Sequence, residues 1–100
     1  MLVAFSVSAG GSPEGYVHDA VAAAVRVVRE SGLPHRTDAM FTTVEGDWDE
    51  CLAVVRQAVD AVAAYGPRVS LVLKADIFPG HTGELSAKLE RLEAALGPAE

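Results

Sequence analysis

Ser6, Thr42, Thr43, Glu45, Lys74 and Asp76 are side chains of this sequence that could read the edge of a small polar ring. Such a ligand needs directional hydrogen bonds beside an apolar wall, and Phe5, Phe41 and Trp48 are the available walls. Lys74 and Asp76 stand two apart in a run that alternates like a strand, so they share one side of it. Facing a pocket or a subunit interface, they supply a donor and an acceptor; on a solvated sheet they need no ligand. Threonine on a short strand is, equally, a good β-former.

Other chemistry finds less support. Glu45, Asp47, Asp49 and Glu50 could hold a cation, but Asp47 and Glu50 have the spacing of a capping box and Asp49 lies in the same first turn. Only Glu45 precedes that helix start. Cys51 lies where a helix dipole could activate a thiol, yet no histidine is near it in sequence, so it reads as a small core residue. His18, His35 and His81 stand at no metal-ligand spacing. Gly10-Gly11 lacks the further glycine and the lysine of a phosphate-binding loop, and there is no nucleophile elbow or HExxH. The expectation is no metal, no cofactor and no catalytic residue.

The bulk properties narrow the partners. One hundred residues, half of them hydrophobic and 22% charged, make one core and one expected domain over 1–100. With 6% aromatics, that core must be mainly valine, leucine and alanine. A net charge of -6 with no lysine or arginine run opposes nucleic acid and anionic membranes. The opening apolar stretch has no basic flank, and no run approaches membrane-span length. One cysteine permits no internal disulfide and fits a reducing compartment, so the expected location is cytoplasmic.

The elements that must position these residues follow from periodicity. Leu2–Ser8 alternates, with Val3, Phe5 and Val7 on one side, and predicts a strand. Ser12-Pro13-Glu14 reads as a helix start. Val17, Val21, Ala24, Val25 and Val28 then keep helical spacing up to Gly32 and Pro34. Residues 35–46 hold two short strands joined near Asp38–Met40. Leu52, Val55, Val59 and Val62 mark a second amphipathic helix, and Arg68–Ile77 a long strand. Thr82 is placed to cap a last helix with a leucine stripe at 85, 89, 92 and 96 and a Glu84–Lys88 pair.

The order β-α-β-β-α-β plus a C-terminal helix predicts an α+β, ferredoxin-like sandwich: a four-stranded antiparallel sheet with two helices on one face. Two helices leave the other face, with Leu2, Ala4, Val72 and Phe41, open to a partner or a second copy.

Met40-Phe41-Thr42-Thr43-Val44-Glu45-Gly46, with the acids that follow, resembles the hallmark stretch of the small thiamine-binding, YkoF-like proteins. The opening strand, Glu30-Ser31-Gly32-Leu33, Lys74-x-Asp76 and a helix containing Lys88 match the same layout. The resemblance spans nearly the whole chain, and Thr42-x-x-Glu45-Gly46 is its most specific piece. It implies a ferredoxin-like fold that forms homodimers or homotetramers and binds thiamine or its hydroxymethylpyrimidine portion without chemistry, as a carrier or sensor. By the same resemblance Thr42, Glu45, Ser12, Lys74 and Asp76 are pocket residues, with Ser6 and Met40 their neighbours. An aminopyrimidine offers donors and acceptors that serine, threonine and carboxylate can read. Phe41 stands where the family has glycine, and Phe78 where it often has arginine. Other classes remain: a self-assembling interaction module without a small ligand, or a cofactor-less enzyme of the same fold.

Overall fold

The computed structural model describes residues 1–10 and 17–98, and for Val17 the backbone alone. The order is β1 (Leu2–Gly10), α1 (Val17–Glu30), β2 (His35–Thr37), β3 (Thr42–Glu45), α2 (Trp48–Ala63), β4 (Arg68–Asp76) and α3 (Glu84–Leu96). The strands form one antiparallel sheet in the order β2-β3-β1-β4. The ferredoxin-like expectation is met.

Alternation puts Val3, Phe5, Val7 and Val44 on the face that packs against α1 and α2, where they are buried with Val28, Val54, Val55 and Val62. Leu2, Ala4, Thr43, Glu45, Lys74 and Asp76 take the other face, because β1 pairs Leu2 with Glu45 and Asp76, and Ala4 with Thr43 and Lys74.

Both helices are rotated from their expected stripes. In α1 the fully buried line is Ala20, Ala24 and Val28, while Val21 stays exposed and Val25 half-buried. In α2, Cys51, Val54, Val55, Ala58 and Val62 are buried and Leu52 is exposed. The reason is size: alanine and cysteine let the two helices approach each other and the sheet, where a leucine would hold them apart. Burial raises the Cys51 thiol above its ordinary pKa, as suits a core residue.

The α2 start is as expected. Asp47 Oδ1 accepts from the Glu50 N–H (2.8 Å), and Glu50 Oε1 accepts from the Asp47 N–H (3.1 Å). The last helix differs. Its N-cap is Gly83 in the left-handed region, without any side-chain cap of its own, so Thr82 does not serve. Glu84 pairs with Arg91 and Lys88 with Asp76, rather than with each other. The Glu84–Arg91 pair spans two turns of α3 itself, whereas Lys88 finds its partner off the helix because α3 folds back over the sheet end bearing Leu2, which it helps to bury. Leu85 is half-buried there, while Leu89, Leu92 and Leu96 stay exposed.

Val44 is fully buried at the centre of the core. Val44→Ala is expected to cost about 2 kcal/mol, from lost transfer energy plus the cavity left behind. Urea unfolding checks this: the midpoint falls with the slope unchanged, and a loss under about 0.5 kcal/mol would place Val44 outside the core.

Candidate functional site

The strands around β1 are unequal. β1 is laddered to β4 along all nine residues, Leu2–Gly10, but to β3 only from Leu2 to Phe5. Past Phe5 the β3 side of the sheet has already become the turn at 38–41, closed by the Asp38 N–H donating to the Phe41 carbonyl (2.9 Å). Among the described residues, β1 from Ser6 onward therefore has no strand beside it on that side. The gap is walled by Val21, Ala24 and Val25 of α1 and by the β2–β3 hairpin, which leaves a cavity of about 150 Å³. A cavity on the order of 150 Å³ accommodates one benzene-sized ring.

Its polar groups are few and convergent. Thr37 and Thr42 face each other across the hairpin, their hydroxyls 3.2 Å apart. Thr42 is buried, and Asp38 adds a carboxylate at the rim. Phe5, Phe41 and Met40 supply apolar surface, with Met40 largely exposed at the turn. Among the described residues that line the cavity, Asp38 is the one titratable side chain.

The sequence candidates divide between two places. Ser6, Met40 and Thr42 meet at this cavity. Glu45, Lys74 and Asp76 lie on the opposite face of the sheet, with Glu45 and Asp76 on either side of Leu2. Ser12 falls outside the described residues, as does the expected helix start at Ser12-Pro13-Glu14. Of the expected aromatic walls, Trp48 lies elsewhere, in a shallow recess with Phe78 and His81. Thr37, Asp38, Val21 and Val25 were not among the candidates. A signal for the two valines existed: Val21 and Val25 extend the apolar side of α1 beyond the Ala20–Ala24–Val28 line that the sheet can cover.

The sequence profile of a family described as thiamine-binding protein matches residues 3–93. The chain belongs to this family. A UPF0045 protein of Mycobacterium tuberculosis is 55% identical over 97 residues, covering 96% of this chain and 94% of that one. Among solved structures, a hypothetical protein of Methanocaldococcus jannascii superposes with a TM-score of 0.81 at 28% identity, covering 91% of this chain and 93% of the other. A Thermotoga maritima protein, named as a candidate for thiamine biosynthesis or salvage, superposes at 0.70 with 22% identity over 91% and 100% of the chains. At that identity the last likeness shows the fold alone.

In this member of the thiamine-binding protein family, the motif glutamate has a structural partner. Glu45, buried at the end of β3, accepts from the Glu84 N–H (2.9 Å) and the Leu85 N–H (3.2 Å). Those are orphan donors of the first turn of α3, where the helix dipole also favours a carboxylate. Lys88 of the same helix reaches Asp76 and holds its carboxyl below the ordinary range. Arg91 does the same for Glu84, and Glu84 in turn raises Arg91. At the position where the family often has arginine, Phe78 stacks on His81 with centroids 3.5 Å apart. The Arg91 guanidinium comes over the Phe78 ring at 5.9 Å.

These depressed carboxyls predict an acid response. A carboxyl whose folded pKa lies below its unfolded value stabilises fully above the unfolded value, about 4, and loses that contribution as pH falls through the folded one. The wild-type Tm advantage over Asp76→Asn is therefore expected to be constant above the unfolded carboxyl pKa of about 4 and to shrink steadily as the pH falls further below it. It is modest throughout, since the pair is half-exposed. Melting curves across that range check it; a gap that persists in acid would contradict the ion-pair account.

Proposed function

We propose that this chain binds thiamine through its aminopyrimidine ring, or the hydroxymethylpyrimidine fragment itself, in the cavity between β1, α1 and the β2–β3 hairpin. The observation that carries this reading is a slot of one-ring size with a threonine pair at its wall, Thr42 buried and Thr37 at the exposed rim. Each hydroxyl both donates and accepts, as the ring nitrogens and amino group of an aminopyrimidine require. Asp38 adds an acceptor at the rim, the β1 backbone at Ser6 lies alongside, and Phe5, Phe41, Val21 and Val25 cover the ring faces. The slot has no room for a second ring, so the thiazolium of thiamine projects past Met40 and Asp38 towards solvent.

Membership of a thiamine-binding family supports the ligand class. We read the role as binding without chemistry, a cytoplasmic carrier or sensor. General acid–base work needs a pair of tuned groups in reach of the ligand, and among the described residues the cavity offers Asp38 alone. Among the described residues, no group of three or more His, Cys, Asp or Glu could hold a metal. No described helix is long and apolar enough to cross a membrane. The exposed apolar residues of β4 and α3 support self-association into a homodimer or homotetramer.

Calorimetry with hydroxymethylpyrimidine and thiamine tests the site. Saturable binding is expected, with the fragment retaining most of the affinity. Thr42→Val keeps the shape, removes the hydroxyl and is expected to weaken binding about tenfold. Val25→Phe fills the slot and is expected to abolish binding. No saturable heat with folded wild-type protein, or full affinity in both variants, would contradict the proposal.

A further inference from the structure

The slot opens onto a second, shallower recess. Val21, Val25 and Ala39 line both, so the two share a rim formed by α1 and the tip of the β2–β3 hairpin. Beyond that rim the recess is lined by His18, Ala22, Arg26 and Arg29 of α1. Its charge is opposite to that of the molecule. Among the described residues no carboxylate lines it, in a chain of net charge -6.

The helix period places the two arginines. Arg29 stands four residues after Val25, so it lies on the same stripe one turn, about 6 Å, further along the axis. Arg26 is three residues before Arg29 and therefore its neighbour on the helix surface. Both are exposed. The ion pairs among the described residues are Lys88–Asp76 and Glu84–Arg91, so no described carboxylate holds Arg26 or Arg29. Like charges three residues apart on a helix repel, and an anion between them removes that cost.

We propose that the ligand of the slot carries a phosphate ester, bound between Arg26 and Arg29 while its pyrimidine ring fills the slot. This rests on the aminopyrimidine reading above and names its chemical class: a phosphorylated aminopyrimidine, either hydroxymethylpyrimidine phosphate or thiamine phosphate. A group that leaves the slot past Ala39 enters the recess directly. Arginine suits a phosphate because its planar fork donates two parallel hydrogen bonds, and two such forks can serve the terminal oxygens together. Asp38 lines the slot and not the recess, so its carboxylate stays on the ring side of the rim. An extended polyanion would need a row of cations, whereas this recess offers a pair beside a one-ring slot.

Calorimetry in a phosphate-free buffer compares hydroxymethylpyrimidine with its phosphate, and thiamine with thiamine monophosphate. In at least one pair the ester is expected to bind about tenfold more tightly, with the advantage shrinking as NaCl is raised. A preference in the first pair alone identifies hydroxymethylpyrimidine phosphate as the ligand, and in the second alone thiamine phosphate. Arg26→Gln with Arg29→Gln is expected to abolish the preference while the affinity for hydroxymethylpyrimidine changes by less than about twofold. Arg56→Gln, at an exposed arginine of α2, is expected to keep it. Circular dichroism confirms that each variant is folded. Esters that bind no better than their alcohols in both pairs, or a preference that survives the double variant, would overturn this proposal and leave the ring reading standing. Failure of all four compounds to bind would instead contradict the ring reading, and this proposal with it.

Discussion

β1 is nine residues long, and the strand beside it on one side has four. A backbone strand cannot leave half its length unpartnered inside a protein without something taking the other side. Here the chain turns away at Asp38–Phe41, and the hairpin tip and α1 wall off the gap instead of filling it. The cavity is therefore a product of topology. It exists because β3 starts at Thr42, and its threonine pair sits at the point where the ladder stops. The full-length pairing on the other side has a second consequence: β4 is carried to the sheet's edge at its entire length, with no strand beside its outer side among the described residues.

The open face obeys a different constraint. Two helices cover one side of a four-stranded sheet, and the third must find its own anchor on the other. That anchor is Glu45, whose carboxylate satisfies two amide groups at the start of α3. Lys88 adds a half-exposed ion pair to Asp76 that contributes little by itself, and Arg91 covers the buried carboxylate of Glu84; both pairs respond to acid. A residue that the family resemblance marks as a pocket candidate thus secures a helix, at the far end of β3 from Thr42 and on the other side of the sheet. Asp76 is drawn into the same cluster. The thiamine reading consequently rests on Thr42 and the hairpin rather than on this acidic group.

The fold was legible because it follows from period and punctuation. Val3, Phe5 and Val7 alternate, Asp47 and Glu50 mark a helix start, and Gly32 and Pro34 mark a helix end. The helix faces were less legible. Hydrophobicity favours Leu52 and Val21 for burial, but close packing favours Ala58, Ala24 and Cys51, and close packing prevailed. The α3 contacts were not legible at all, because Thr82 and Lys88 have reasonable local partners and the real ones lie at Glu45 and Asp76, far away in sequence. The candidate residues were found as types, but their division between two faces depends on strand register. One residue of parity puts Thr42 on the helix side and Thr43 on the other.

The central claim is that a ring binds where the β1–β3 ladder stops. Its most direct test is a titration of methyl-labelled protein with hydroxymethylpyrimidine, followed by NMR. The account predicts saturable shifts at Val7, Val21, Val25, Met40 and Thr42, with Leu85, Leu89 and Leu92 of α3 undisturbed. Shifts centred on those leucines, or on the methyl of Thr43, would put the ligand on the open face and contradict it.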